Sequence, residues 1–133
     1  MYTLEDVPNV YLMALCAWRE ARGCSDEAIR GVLHVIKNRA DHPGWWGDSI
    51  EAVVLKPQQF SSFNPGDPNA SKFPLEGDTI FPGILRLTDP IMNSQDEDLT
   101  GGAVNYHDSS VLPSWANAAN KVAQIGPFTF YKA

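Results

Sequence analysis

Cysteine is scarce in this sequence, which carries only Cys16 and Cys24. On a continuous helix the two stand roughly 12 Å apart at 1.5 Å rise per residue, too far for a disulfide. They are too few for a zinc site without histidine partners, and both read as buried, unreactive thiols. The histidines, His34, His42 and His107, are scattered, with no His-Glu-x-x-His among them, so no metal and no cofactor is expected. There is no Gly-x-Ser-x-Gly elbow for a serine nucleophile. Positive charge is also short: ten Lys and Arg face sixteen Asp and Glu, a net charge of -6. That balance argues against a nucleic-acid partner. No basic amphipathic segment suits an anionic membrane surface, and no apolar run approaches the roughly 20 residues that span a bilayer. The first residues, Met1 to Asp6, hold neither a cationic stretch nor a signal-peptide core. The chain is therefore expected to be made in the cytoplasm and to reach any outside target by another route. Repeats and linkers are absent, and the length fits a single domain over 1–133.

What is present begins with an apolar run, Val10 to Trp18, that has no polar face. It predicts a helix from about Pro8 to Arg22, buried nearly all round. Thr3 with Asp6, or Asn9 alone, is the expected cap, and Gly23 the expected left-handed stop. Ser25 caps a second helix with Asp26 and Glu27 in its first turn and Ile29, Val32, Leu33 and Ile36 in one stripe. His34 falls beside that stripe as a half-buried structural residue, and Lys37 and Arg39 close the helix. Trp45 and Trp46 follow in a loop, suited equally to stacking on a sugar face or plugging a small core. Asp48 with Glu51 forms a capping box for a short helix, Ser49 to Leu55. Gln58 to Phe63 reads as extended, Asn64 to Asn69 as turns, and Ala70 to Phe81 as irregular. A helix from Pro82 to about Asn93 carries a weakening Pro90. Ser94 to Asp98 is a solvated acidic connector. Thr100 to Ala103 turns sharply, Val104 to His107 is a strand, Pro113 to Asn120 a short helix, and Lys121 to Tyr131 a hairpin about Gly126-Pro127. Helices first and short strands later make an α+β protein.

One residue stands out chemically. Glu20 lies in the last turn of the first helix, where burial and the negative end of the helix dipole both disfavour its ionised form. Both push it towards the pKa of a general acid, while Arg19 and Arg22 pull the other way. Glycosidic cleavage needs such an acid and a groove of polar and aromatic groups. The Gln59-Phe60-Ser61 and Asn105-Tyr106-His107 stretches can supply that groove.

Several short motifs then fall in register. They are Glu20-Ala21-Arg22-Gly23 after an apolar helix, Asn38-Arg39, Val53-Val54-Leu55 with Gln59-Phe60-Ser61, Gly101-Gly102-Ala103 with Tyr106-His107, Trp115-Ala116, and Ile125-Gly126 with Phe130-Tyr131. In this order they resemble the SleB/CwlJ-type cell wall hydrolases, the spore-cortex-lytic enzymes and their bacterial and phage relatives, from about Tyr11 to Tyr131. The resemblance implies a lysozyme-like (lytic-transglycosylase-like) α+β domain, helices plus a small antiparallel β region, that acts on the glycan strands of peptidoglycan. It places the catalytic acid on Glu20 and substrate contacts on Gln59, Phe60, Ser61, Gly102, Tyr106 and His107. It implies cleavage of the MurNAc-GlcNAc β-1,4 bond, by a lytic transglycosylase or, with a second carboxylate among Asp67, Asp78 and Asp108, by a hydrolytic muramidase. Delivery by holin-assisted release, on a phage particle or by dedicated secretion is compatible with it. The chain departs from the family pattern at Cys24, at Asn105 and Asp108, and in the loop from Phe63 to Thr79. Two readings from other classes stand beside this one: a non-catalytic glycan-binding or virion structural module, and a metal-dependent hydrolase using the histidines. Oligomeric state is not legible.

Overall fold

The computed structural model describes residues 7–42, 44–56 and 59–132, with backbone alone for residues 7 and 8. Its chain order is α1 (Val7–Ala21), α2 (Asp26–Asp41), α3 (Ile50–Leu55), a 3-10 turn (Ser61–Phe63), α4 (Ile80–Met92), β1 (Asn105–Asp108), a second 3-10 turn (Ala118–Asn120), β2 (Lys121–Ile125) and β3 (Phe128–Tyr131). The strands form one antiparallel sheet in the order β1-β3-β2. The α+β expectation holds at that level.

α1 is the central helix and packs on α2, α3 and α4. Met13 through Trp18 are all buried, which follows from a run with no polar face. Of its expected caps, Thr3 and Asp6 lie outside the described residues, and Asn9 sits inside the helix rather than at its end. Gly23 is not left-handed: it is absent from the positive-φ glycines of the described chain. The end of α1 closes differently. The Arg22 guanidinium donates to the carbonyls of Trp18 and Arg19 at 3.2 and 3.3 Å, so a basic side chain satisfies groups that a left-handed glycine turn usually serves.

α2 follows its sequence pattern closely. The Ser25 hydroxyl accepts from the Ala28 N–H at 3.3 Å, and Ile29, Val32, Leu33 and Ile36 are buried. Gly31 lets the helix approach the sheet: a Cβ there would lie 2.5 Å from the Phe130 ring. α3 is capped by Ser49, which accepts from Ala52 N–H at 3.1 Å, so the expected Asp48–Glu51 box is one residue out. α4 begins at Ile80, earlier than expected, because the Asp78 carboxylate accepts from the N–H groups of Ile80 and Phe81. Pro90 is tolerated inside its last turn.

Three expectations fail. Residues 59–63 form no strand: Phe60 is extended but Ser61–Phe63 winds into a 3-10 turn. Arg19 turns this region into a loop by donating to the carbonyls of Ser62, Ala70 and Lys72. Pro113 to Asn120 is not a helix beyond its final three residues, because the Asn117 side chain accepts from Ala119 N–H and starts the winding only there. The Ser94 to Asp98 connector is not freely solvated. Asp96 binds Arg30 at 3.0 Å and His34 at 2.6 Å. Asp98 accepts from the Asn38 side chain, from the hydroxyl and N–H of Thr100, and from the N–H of Gly102. This acidic segment is strapped to α2, and His34 is buried beneath it.

Candidate active site

The chain brings its two halves together through the Asn38-Arg39 pair near the end of α2. The Asn38 side chain donates to Ala103 O at 2.9 Å, and Arg39 Nε donates to Val104 O at 2.6 Å. Arg39 Nη2 donates to the Asn105 side chain at 3.2 Å. Val104 N–H continues the pairing with Tyr131 O. These bonds fix β1 beside the end of α1.

There the Tyr106 hydroxyl donates to Glu20 Oε1 at 3.2 Å, across 86 residues of sequence. Around the pair lies a cleft of about 330 Å³, lined by Glu20, Arg39, Gln59, Phe60, Ser61, Tyr106, His107, Asp108, Val111, Pro113, Trp115 and Phe128. Of the residues singled out in the sequence, Glu20, Gln59, Phe60, Ser61, Tyr106 and His107 thus meet in one place. Gly102 does not line the cleft. Its N–H is held by Asp98, and its φ of 89° gives it a turn-forming part.

The electrostatics are set by burial. Tyr106 packs on Phe128 and Phe130. Burial first, then the neighbouring Glu20 charge, lifts the phenol well above its ordinary pKa, so it remains a neutral donor. Arg19 and Arg22 both turn towards the 62–72 loop, and Arg22 reaches Asn69. Among the described residues no cation forms an ion pair with Glu20. Arg39 is the cation of the cleft wall. Burial lowers its pKa, and its guanidinium lies 5.3 Å from the ring centres of both Phe60 and Trp46.

On the other side, His107 stacks on Tyr131 at 5.4 Å and meets the edge of Trp115 at 5.9 Å. His107 Nε2 lies 2.8 Å from the Tyr131 hydroxyl, which fixes the imidazole plane. Of the three candidate second carboxylates, only Asp108 reaches the cleft. Hydrogen bonds from the Ser110 hydroxyl and N–H hold it below the usual carboxylate range. Asp67 serves a turn through Asn69 N–H, and Asp78 caps α4. Arg39, Val111, Pro113 and Phe128 were not anticipated as lining residues. Asn38-Arg39 was visible as a motif, but nothing local in the sequence sets how far it lies from Glu20.

An open cleft with two carboxylates, Glu20 and Asp108, polar side chains and several aromatic faces is the kind of site that handles a polar, ring-containing substrate. The chain belongs to the cell wall hydrolase family, which it matches over residues 23–131. Membership makes it an enzyme acting on the cell wall, with peptidoglycan as the substrate. No curated protein and no solved structure gives a significant match. The family match opens three residues after Glu20, so the case for that carboxylate stands on its place in the cleft.

Proposed function

We propose that this protein is a peptidoglycan lytic transglycosylase with Glu20 as its acid and base. The observation that carries the reading is the Tyr106–Glu20 hydrogen bond inside a polar and aromatic cleft. Glu20, as the carboxylic acid, gives its proton to the glycosidic oxygen between MurNAc and GlcNAc. The C1–O bond breaks and leaves oxocarbenium character on the muramyl ring. The C6 hydroxyl oxygen of the same ring attacks C1, its proton passes to the Glu20 carboxylate, and a 1,6-anhydro ring closes. No water is consumed, and Glu20 ends as it began. Tyr106 holds the carboxyl oriented while Gln59 and Ser61 offer hydrogen bonds to the sugar.

Asp108 favours a second reading. It is an ionised carboxylate on the same cleft, and with a water between the carboxyls it supports a hydrolytic N-acetylmuramidase. The lysozyme-like fold and delivery to the wall by a phage-lysis, virion or secretion route belong to this proposal.

The test is digestion of purified peptidoglycan by the native protein and by Glu20→Gln, with muropeptides read by mass spectrometry. Products ending in 1,6-anhydro-MurNAc, lost in the variant, are expected. Reducing MurNAc ends transfer the mechanism to the Glu20–Asp108 pair. No glycan cleavage by folded native protein overturns the glycan-cleaving reading.

A further inference from the structure

The sequence pair Trp45-Trp46 is not used by the cleft, and the structure divides it. Gly44 and Gly47 exchange both backbone hydrogen bonds, at 3.3 and 3.1 Å, and close a tight turn with the two indoles at its tip. Gly47 holds this turn at φ 121°, and a Cβ there would meet the Ala52 side chain at 2.8 Å. The position therefore requires glycine. Trp46 packs against the core and lies over Arg39. Trp45 does not: it is 68% exposed. The two rings meet edge to face, 6.1 Å apart at 80°, so Trp46 supports Trp45 from the core side.

Trp45 borders a hollow of about 500 Å³, larger than the cleft, whose other walls include Ser49, Glu51, Leu55 and Lys56. The Lys56 ammonium stands 4.9 Å from the centre of the Trp45 ring. The lining thus combines a broad apolar face with a hydroxyl, a carboxylate and an ammonium. One charge of each sign suits a neutral, polyhydroxylated ligand better than an ion. The Trp46 indole N–H is buried and has no partner, a donor left over at the base of the turn.

The hollow adjoins the cleft. The carbonyl of Lys56, on its wall, accepts from the N–H of Gln59, on the cleft wall, at 3.2 Å. Arg39, which lines the cleft, touches the rear of the hollow through Trp46. At about 330 Å³ the cleft is at the small end of ligand sites, which run roughly 300–1,000 Å³. A polymeric substrate seated there must continue over neighbouring surface.

We propose that Trp45 is the platform of a distal glycan subsite. It stacks on the apolar face of an N-acetylhexosamine several rings from the scissile bond, with Ser49, Glu51 and Lys56 meeting the hydroxyls. The inference rests on the glycan-cleaving reading above. Its role is to hold long strands against the cleft, so its contribution grows with strand length.

The test uses the Glu20→Gln protein, in which strands stay intact, and peptide-free strands of alternating GlcNAc and MurNAc sorted by length. In this background affinity is expected to rise with length. Adding Trp45→Ala is expected to remove that rise, raising Kd for the longest strands about two- to tenfold, the scale of one aromatic contact. Trp45→Tyr restores it, which separates lost stacking from a disturbed turn. Unchanged binding of long strands by the Trp45→Ala protein overturns the subsite and leaves the cleavage reading intact. An effect seen only with strands that keep their stem peptides also overturns it, since the hollow then receives peptide. If no strand of any length binds, the glycan reading falls and the subsite with it.

Discussion

At the scale of single residues, the site depends on a contact that neither partner shows alone. Glu20 stands in the last turn of a helix whose residues Met13 to Arg19 are buried, and Tyr106 stands on an edge strand. The phenol is a neutral donor because burial, with Glu20's own charge, holds its proton. Tyr106→Phe keeps the ring packing on Phe128 and Phe130 and removes only the hydroxyl. A hydrogen bond to a charged group is worth roughly 1.5–3 kcal/mol. The bond strengthens as Glu20 gives up its proton and gains charge, so steady-state cleavage should show kcat/KM falling about ten- to a hundredfold. The same bond also holds the resting fold, so the melting temperature should fall with it. The identities of these residues were legible in the sequence, since an acid at the end of an apolar helix is a local pattern. Their pairing was not, because no local pattern reports a contact across 86 residues. The directions of Arg19 and Arg22 were equally hidden: adjacent positions on a helix do not say which loop will bring carbonyls to them.

At the scale of elements, periodicity fixed what it could. α2 carries a capping serine, acidic first-turn residues and a regular apolar stripe, and it forms as written. Residues 59–63 and 113–120 carry no such period, and side chains decide them: the Arg19 guanidinium curls the first and Asn117 delays the second. Gly31 marks a tight joint between α2 and β3. Inside a helix the pattern reads it as a weak residue, whereas it is the place where the Phe130 ring meets backbone. Gly31→Ala would gain helix propensity on an isolated helix. Here the added methyl must displace that ring, and overpacking of this kind costs roughly 1–3 kcal/mol. A denaturant titration should show the midpoint falling with the slope unchanged.

At the scale of the whole molecule, the helices supply Glu20 and Arg39, the sheet supplies Tyr106 and His107, and the strap from Asp96 to Thr100 secures the approach between them. Burial works to raise Asp96, but hydrogen bonds from His34 and Arg30 outweigh it and the net shift is downward. Asp98 is lowered in the same sense against its own burial, by Thr100 and Asn38. A carboxyl depressed in the folded state stabilises it fully above the unfolded pKa, near about 3.9. That stability is lost as pH falls through the lower folded value. Thermal unfolding followed from pH 7 to pH 2 should show a loss of stability below about pH 4. Asp96→Asn should lower stability at pH 7 and shrink the acid-dependent part. An acid limb identical in the variant would remove Asp96 from the account. The acidic composition was plain in the sequence, yet a charged connector between helix and strand gives no local sign of being folded down.

One turn before the acid on α1 stands Cys16, wholly enclosed, its thiol pushed well above the ordinary range by burial and then by Glu20. A thiol that neither ionises nor meets solvent is a poor nucleophile and a poor target for oxidants. The wall behind Glu20 is thus indifferent to redox potential. On that side the acid meets the same surroundings where thiols are kept reduced and where they are oxidised. Cys24, beyond the end of the helix, is half-buried rather than buried as its sequence context suggests, and is the thiol left within reach of oxidants.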